Sequence, residues 1–271
     1  MNTDHASGTW YGEYELAVGK TAYWRLGPLR FWLSHEEKEW RFCSLADTDP
    51  LDPRLEEDLS GTAEPPDEAL ETAVRLGSDR TGDHFELLPM PADRPVVVRP
   101  VTPFLLPPEE DLTLYISTMA WLRVSVGRPL REFVEVPLYR PSDTWFGAST
   151  GDGEMCYSLQ TSARLYLERL PIRPHRAISA LRVRNRSAVN LPIERVVLPL
   201  PHMSLYAGDR GELWTEEVTL EHTQDGQEAP LILSRTTPSY AGITHKLSGP
   251  RQKSDRGLLT RAFGGLRRGG F

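Results

Sequence analysis

Between Tyr23 and Leu45 the chain alternates apolar and polar residues. Leu29, Phe31 and Leu33 share one parity, the run SHEEKE interrupts them, and Trp40 and Phe42 resume the period of two. That spacing predicts a β-hairpin closed by a charged turn. From His84 onward the same period recurs in short runs: HFELL, PVVVRPV, DLTLYISTM, WLRVSVG and EFVEVPL, then EMCYSLQ, ARLYLERL, ERVVLPL, ELWTEEVTL and PLILSR. No stretch between residues 75 and 245 sustains a helical period. The phrase ALRVRNRSAVNLPIERVVL reads as two alternating strands joined by a polar turn at Asn185 to Ser187, an immunoglobulin-like signature. The expected fold is all-β: two packed antiparallel β-sandwich-like units followed by a flexible basic C-terminal tail. The expected division is 1–140, 141–247 and a tail over 248–271.

Composition supports short strands. The 23 prolines and 21 glycines among 271 residues chop the chain into runs too brief for long helices. Arg99 and five prolines interrupt the longest apolar stretch, PVVVRPVTPFLLPP, and the N-terminal residues MNTDHASGTWYGEYEL carry no signal-peptide pattern. A soluble cytoplasmic protein is expected, able to associate with a membrane surface. Cys43 and Cys156, the only cysteines, lie in strand-like runs and read as reduced core thiols.

Charge is unevenly distributed. Residues 46–71 hold ten acidic residues against Arg54, with four prolines, and read as a solvated loop with one helical turn between Pro66 and Val74. Residues 246–271 carry seven basic residues against Asp255, while the other 245 residues sum to −13 out of a total of −7. If residues 257–266 coil, Leu258, Leu259, Phe263 and Leu266 form an apolar stripe, with Arg261, Arg267 and Arg268 supplying charge. Gly264 and Gly265 oppose a stable isolated helix, so the segment is expected to order on binding a partner. Its partner classes are a membrane protein, an anionic membrane surface or the acidic 46–71 segment. The acidic body argues against nucleic acid.

Candidate chemistry is sparse. The seven histidines include no pair at i, i+2 or i+4 and no HExxH, so neither a metal nor any other cofactor is expected. His202, Tyr206 and Trp214 fall near predicted strand ends, where sandwich loops gather ligands. The competing reading is that Tyr206 and Trp214 plug the core and His202 lies at the surface. Seven tryptophans allow a carbohydrate- or small-ligand-binding alternative, which requires two or three of them exposed on one concave face.

The phrases RLGPLRFWLSHEEKEWRF and ERVVLPLPHMSLY resemble the bacterial and archaeal family called domain of unknown function 432, over residues 10–247. The resemblance implies a soluble protein without an assigned activity, encoded beside mechanosensitive channels of the small-conductance type, and brings no catalytic residue with it. The sequence reading is therefore a non-enzymatic interaction protein, an accessory of such a channel, docking through Leu258, Leu259, Arg261, Phe263, Leu266, Arg267 and Arg268.

Overall fold

The computed structural model describes residues 9–77, 82–149, 152–161, 164–223, 230–240 and 242–253. Among them strands dominate, and the single α-helix, α1, spans Asp67–Leu70. A five-stranded sheet runs in the order β5 (Leu55–Asp58), β2 (Lys20–Leu26), β3 (Leu29–Glu36), β4 (Glu39–Ala46), β6 (Val74–Gly77). The expected hairpin is β3–β4, with Trp32 opposite Cys43 and His35 opposite Trp40. Its charged turn leaves Glu37 and Lys38 outside the strands.

A ten-stranded sheet follows the order β1 (Gly12–Glu15), β7 (His84–Pro91), β10 (Asp111–Val126), β14 (Arg176–Asn185), β18 (Leu213–Thr215), β17 (Leu205–Gly208), β21 (Ile243–Ser248). To this path β11 (Arg131–Pro137) adds on β10, and β19 (Val218–His222) adds on β14 and on β20 (Leu231–Leu233). A four-stranded sheet orders β12 (Asp143–Ser149), β13 (Asp152–Thr161), β8 (Val96–Pro100), β16 (Val196–Leu198), and a two-stranded one pairs β9 (Phe104–Leu106) with β15 (Leu191–Ile193).

Two large buried clusters result. The first joins Trp24, Phe31, Leu33, Trp40 and Phe42 of the five-stranded sheet to Tyr14, Phe85, Leu87, Leu122, Val124, Leu205 and Leu213 of the ten-stranded one. The second gathers Val96, Val98, Leu114, Ile116, Tyr157, Leu181, Val183, Ile193, Val218 and Leu220. The position near residue 140 is crossed in both directions, because β8 serves the second core whereas Leu205 and Leu213 serve the first.

Strand β10 links the cores. The runs DLTLYISTM and WLRVSVG, expected as separate strands, form one strand of 16 residues, roughly 50 Å long at the usual rise per residue. Residues 111–119 pair with β14, and residues 120–126 pair with β7. Leu114 and Ile116 enter the second core, and Ala120, Leu122, Val124 and Val126 the first. At the handover Thr118 is buried, its hydroxyl 3.1 Å from the Ala177 carbonyl and 3.0 Å from Ser179 Oγ. Thr215 donates to the same Ser179 oxygen at 2.9 Å, so this buried polar chain is satisfied where the strand passes from one core to the other.

Three expectations require correction. The pairing is not wholly antiparallel: β13 with β8, β14 with β18 and β14 with β19 are parallel. Each of these pairs is joined by a long excursion through other strands, as a parallel partner requires. The immunoglobulin-like phrase forms no hairpin, since β14 pairs with β10 while β15 goes to β9 and β16 to β8. The reason is Asn185, whose buried amide donates to the carbonyls of Leu106, Pro107 and Val189 at 2.8 to 3.0 Å. A residue that reads as a solvated turn instead ties β9 to the chain leaving β14. The acidic segment 46–71 is likewise not a plain solvated loop, because β5 pairs with β2 and Asp52 is buried. The helical turn does form, as α1, and Ala69 packs beside Trp32 and Cys43.

The turn between β2 and β3 is unusually constrained. Gly27 has φ +60°, and a Cβ there would lie 2.1 Å from His175 Nδ1. Gly27→Ala should therefore destabilise the fold by about 2 kcal/mol, combining left-handed backbone strain with overpacking. A denaturant midpoint equal to that of the wild type would show that the turn and imidazole separate freely.

Candidate functional site

The seven tail residues Leu258, Leu259, Arg261, Phe263, Leu266, Arg267 and Arg268 lie outside the described residues. Their point of departure is described. Beyond residue 248, where the tail was expected to begin, Arg251 and Gln252 are still bonded to the body. Arg251 Nε donates to the Pro91 carbonyl at 2.5 Å, and its guanidinium pairs with Glu135 and lies 5.3 Å from the centroid of the Trp121 ring. Gln252 N–H donates to the Pro201 carbonyl at 3.0 Å, and the Gln252 carbonyl lies 3.1 Å from His202 Nδ1. These contacts reach β7, β10, β11 and the 3-10 turn Leu200–His202. The clamp sits beside the handover in β10, for Trp121 follows Ala120 and packs against the second core.

His202, Tyr206 and Trp214 do not form one site. Tyr206 and Trp214 stand opposite each other on β17 and β18. Both are buried with Leu170 and Ile178 beneath Leu167, Tyr115, Tyr240 and Ile243. Trp214 stacks on Tyr240 at 5.0 Å between centroids. Their place is a satellite core on the sheet, while His202 is half-buried and bonded to the clamp. Trp10, Trp24, Trp32, Trp40 and Trp214 are buried, Trp121 lies under Arg251, and Trp145 alone is exposed, at 44%. The concave platform of several tryptophans that carbohydrate binding requires is not formed.

The thiols are structural. Cys43 and Cys156 are free and buried, and burial raises both pKa values, that of Cys156 to about 12 with help from Glu154. Neither is a thiolate near neutral pH. Among the described residues no three His, Cys, Asp or Glu side chains gather as metal ligands would. The chain spells G-x-S-x-G once, over residues 147–151. A nucleophile elbow needs a strand followed by a helix. Here the motif spans the connection between β12 and β13, two antiparallel strands.

A buried polar latch went unread in the sequence. His175 Nε2 lies 3.0 Å from the Pro50 carbonyl and 3.3 Å from Arg176 Nε, and Nδ1 faces Gly27 without a hydrogen-bond partner among the described residues. Arg176 Nη2 donates to the same carbonyl at 3.0 Å, and Arg173 Nε donates to the Leu51 carbonyl at 2.9 Å. Burial lowers the His175 pKa to about 4, reinforced by the charges of Arg176 and Arg173. Burial likewise lowers Arg176 to about 10, which still leaves it charged at neutral pH, its guanidinium 5.3 Å from the Tyr139 ring centroid. The latch fastens the acidic segment to β14, which explains its order despite its composition.

No helix among the described residues is long and apolar enough to cross a membrane. No curated protein and no solved structure matches the chain. The family described as protein of unknown function DUF432 matches residues 10–267, a span that takes in both cores, the Arg251 clamp and most of the basic segment beyond it. The chain belongs to the domain of unknown function 432 family.

Proposed function

We propose that this chain is a non-enzymatic interaction protein that engages a membrane protein, or the anionic lipid surface beside it, through its basic C-terminal segment. The clamp at Arg251 and Gln252 carries the reading, because it fixes where the basic residues begin: Lys253 follows a root bonded to Pro91, Glu135, Pro201 and His202. A cationic segment with a fixed origin on an acidic body is a recognition element whose reach its length sets. Attraction to anionic headgroups contributes about 1 kcal/mol per basic residue near the surface. The family match continues across this segment to residue 267, so the segment belongs to the shared sequence. The first partner to test is the small-conductance-type mechanosensitive channel that the family resemblance implies.

Deleting residues 254–271 leaves the clamp in place. The truncated protein should keep its thermal midpoint within about 2 °C, since surface changes away from the core cost little, while its recovery from detergent-solubilised membranes with a channel bait should fall at least tenfold. Equal recovery of both forms would reject the role of the segment.

A further inference from the structure

We propose that residues 164–173 form a membrane-contact ridge on the folded body, seating Leu165, Tyr166 and Ile172 among the headgroups of an anionic bilayer while Arg164 and Arg169 meet the phosphates. The ridge goes beyond the C-terminal segment, shares no residue with it and stands or falls separately from it.

The segment lies across a sheet. At its start the backbone of Arg164 exchanges hydrogen bonds of 2.8 and 3.1 Å with Tyr115 of β10. At its end Arg173 Nε donates to the Leu51 carbonyl, and His175 enters the latch. Between these anchors Leu167, in the 3-10 turn Leu167–Arg169, and Leu170 just after it pack with Ile178, Tyr206 and Trp214. The side of the segment that bears these two leucines therefore faces the sheet. Leu165, Tyr166 and Ile172 are left on the solvent side, 50%, 58% and 43% exposed. Arg169 joins them, its guanidinium 4.9 Å from the centroid of the Tyr166 ring. Leu51, whose carbonyl holds Arg173, is an exposed apolar neighbour. Large apolar side chains gathered in water on one side of a well-anchored segment mark a contact surface.

Charge identifies what covers it. Residues 164–176 hold four arginines against Glu168. Arg169, Arg173 and Arg176 are engaged by a ring or by carbonyls, and among the described residues none of the four pairs with a carboxylate. Beside them Asp52 is neutralised by Arg25 and Arg54, which leaves Asp49, an acceptor for the Leu51 N–H. On β14, by contrast, Arg182, Arg184 and Arg186 all pair with Asp111. Unneutralised arginines around a tyrosine and aliphatic side chains suit the bilayer boundary, where tyrosine rings settle and arginine heads reach the phosphates. A protein partner is disfavoured by size. Three apolar side chains cover far less than the roughly 800 Å² per partner of a standard interface, whereas a fluid bilayer needs no matched shape.

Hydrogen exchange on the full chain reads the ridge and the C-terminal segment separately. With vesicles of mixed phosphatidylcholine and phosphatidylglycerol, amides of residues 165–173 should slow about tenfold. Phosphatidylcholine alone, or inorganic phosphate, should leave them unchanged. Protection confined to residues beyond 253 would favour the C-terminal reading and overturn the ridge. Protection confined to 165–173 would uphold the ridge and reject lipid attraction as the role of the C-terminal segment. In co-sedimentation with the mixed vesicles, the double variant Tyr166→Ser, Ile172→Ser and the single variant Arg169→Glu should each lower the partition coefficient about tenfold. Val18→Ser, which removes an exposed apolar side chain between β1 and β2, should leave it unchanged. The wild-type exchange decides the matter if a variant fails to fold. Equal slowing by phosphate or by phosphatidylcholine alone would overturn the proposal, as would full binding by both ridge variants. Slowing with protein concentration in the absence of vesicles would overturn it too, by assigning the ridge to a second copy.

Discussion

Asp52→Ala should destabilise the protein by about 3–5 kcal/mol, the cost of breaking a buried ion pair from one side. Asp52 is 3% exposed and accepts from Arg25 Nη2 at 2.8 Å, from Arg54 Nη2 at 2.7 Å and from the Arg54 backbone N–H at 3.0 Å. Arg25 is itself buried and keeps Asp47 at 2.5 Å, which places the expected loss toward the lower end of that range. The bonds from Arg54, followed by the bond and charge of Arg25, hold the Asp52 carboxyl well below the usual carboxylate range despite its burial. Its contribution is therefore complete above about pH 4 and is lost as the pH falls further. Urea unfolding at pH 7 and pH 3 should show a large difference between wild type and Asp52→Ala at the higher pH and a partly reduced one at the lower, where the folded carboxyl is still mostly ionised. An equal deficit at both would mean that the carboxylate charge contributes nothing and that the cavity alone explains the variant.

The hairpin over residues 29–46 was readable because both strands bury one face, so the period of two survives in the sequence. Its apolar side chains, Phe31, Leu33, Trp40 and Phe42, are the ones that fill the first core. The all-β class was readable for the same reason. Pairing was not, because period two states that a residue is in a strand and leaves its partner open. Strand β14 illustrates this: its next neighbours in sequence, β15 and β16, join other sheets, and its parallel partner β19 arrives more than thirty residues later. The ordered part of the acidic segment was hidden because composition counts charges without their partners. Asp47 and Asp52 are neutralised by Arg25 and Arg30 on the preceding strands, at positions that look like ordinary solvent-facing residues. The choice between core and ligand roles for Tyr206 and Trp214 turned on Tyr240 and Leu167, which cover them from distant sequence. Arg251 was counted among the charges of a tail, although its carbonyl, carboxylate and indole partners lie more than a hundred residues upstream.

The latch at His175 should produce a second, separate acid transition. The imidazole is buried and neutral, with its pKa lowered to about 4 by burial and then by the Arg176 and Arg173 charges, whereas in the unfolded chain it titrates near the ordinary histidine value of 6.5. Between these values the unfolded chain binds the proton and the folded chain does not. Stability therefore falls as the pH drops from about 6.5 to 4, by about 3 kcal/mol for a shift of this size. The loss precedes that of Asp52, whose window opens only below about pH 4. His175→Asn lacks the titrating ring, so it should be less stable than wild type at pH 7 yet show a flat profile across the upper window while keeping the lower one. Denaturant unfolding of the wild type, His175→Asn and Asp52→Ala at half-unit steps from pH 7.5 to 3 separates the two groups. A His175→Asn profile with the wild-type slope between pH 6.5 and 4 would assign the transition to another group and leave the latch a purely neutral contact. If the slope disappears as expected, protonation of one imbalanced imidazole acts at the place where the acidic segment, the glycine turn after β2 and the start of β14 meet. The segment would then be the first part of the body to loosen in acid, ahead of either core.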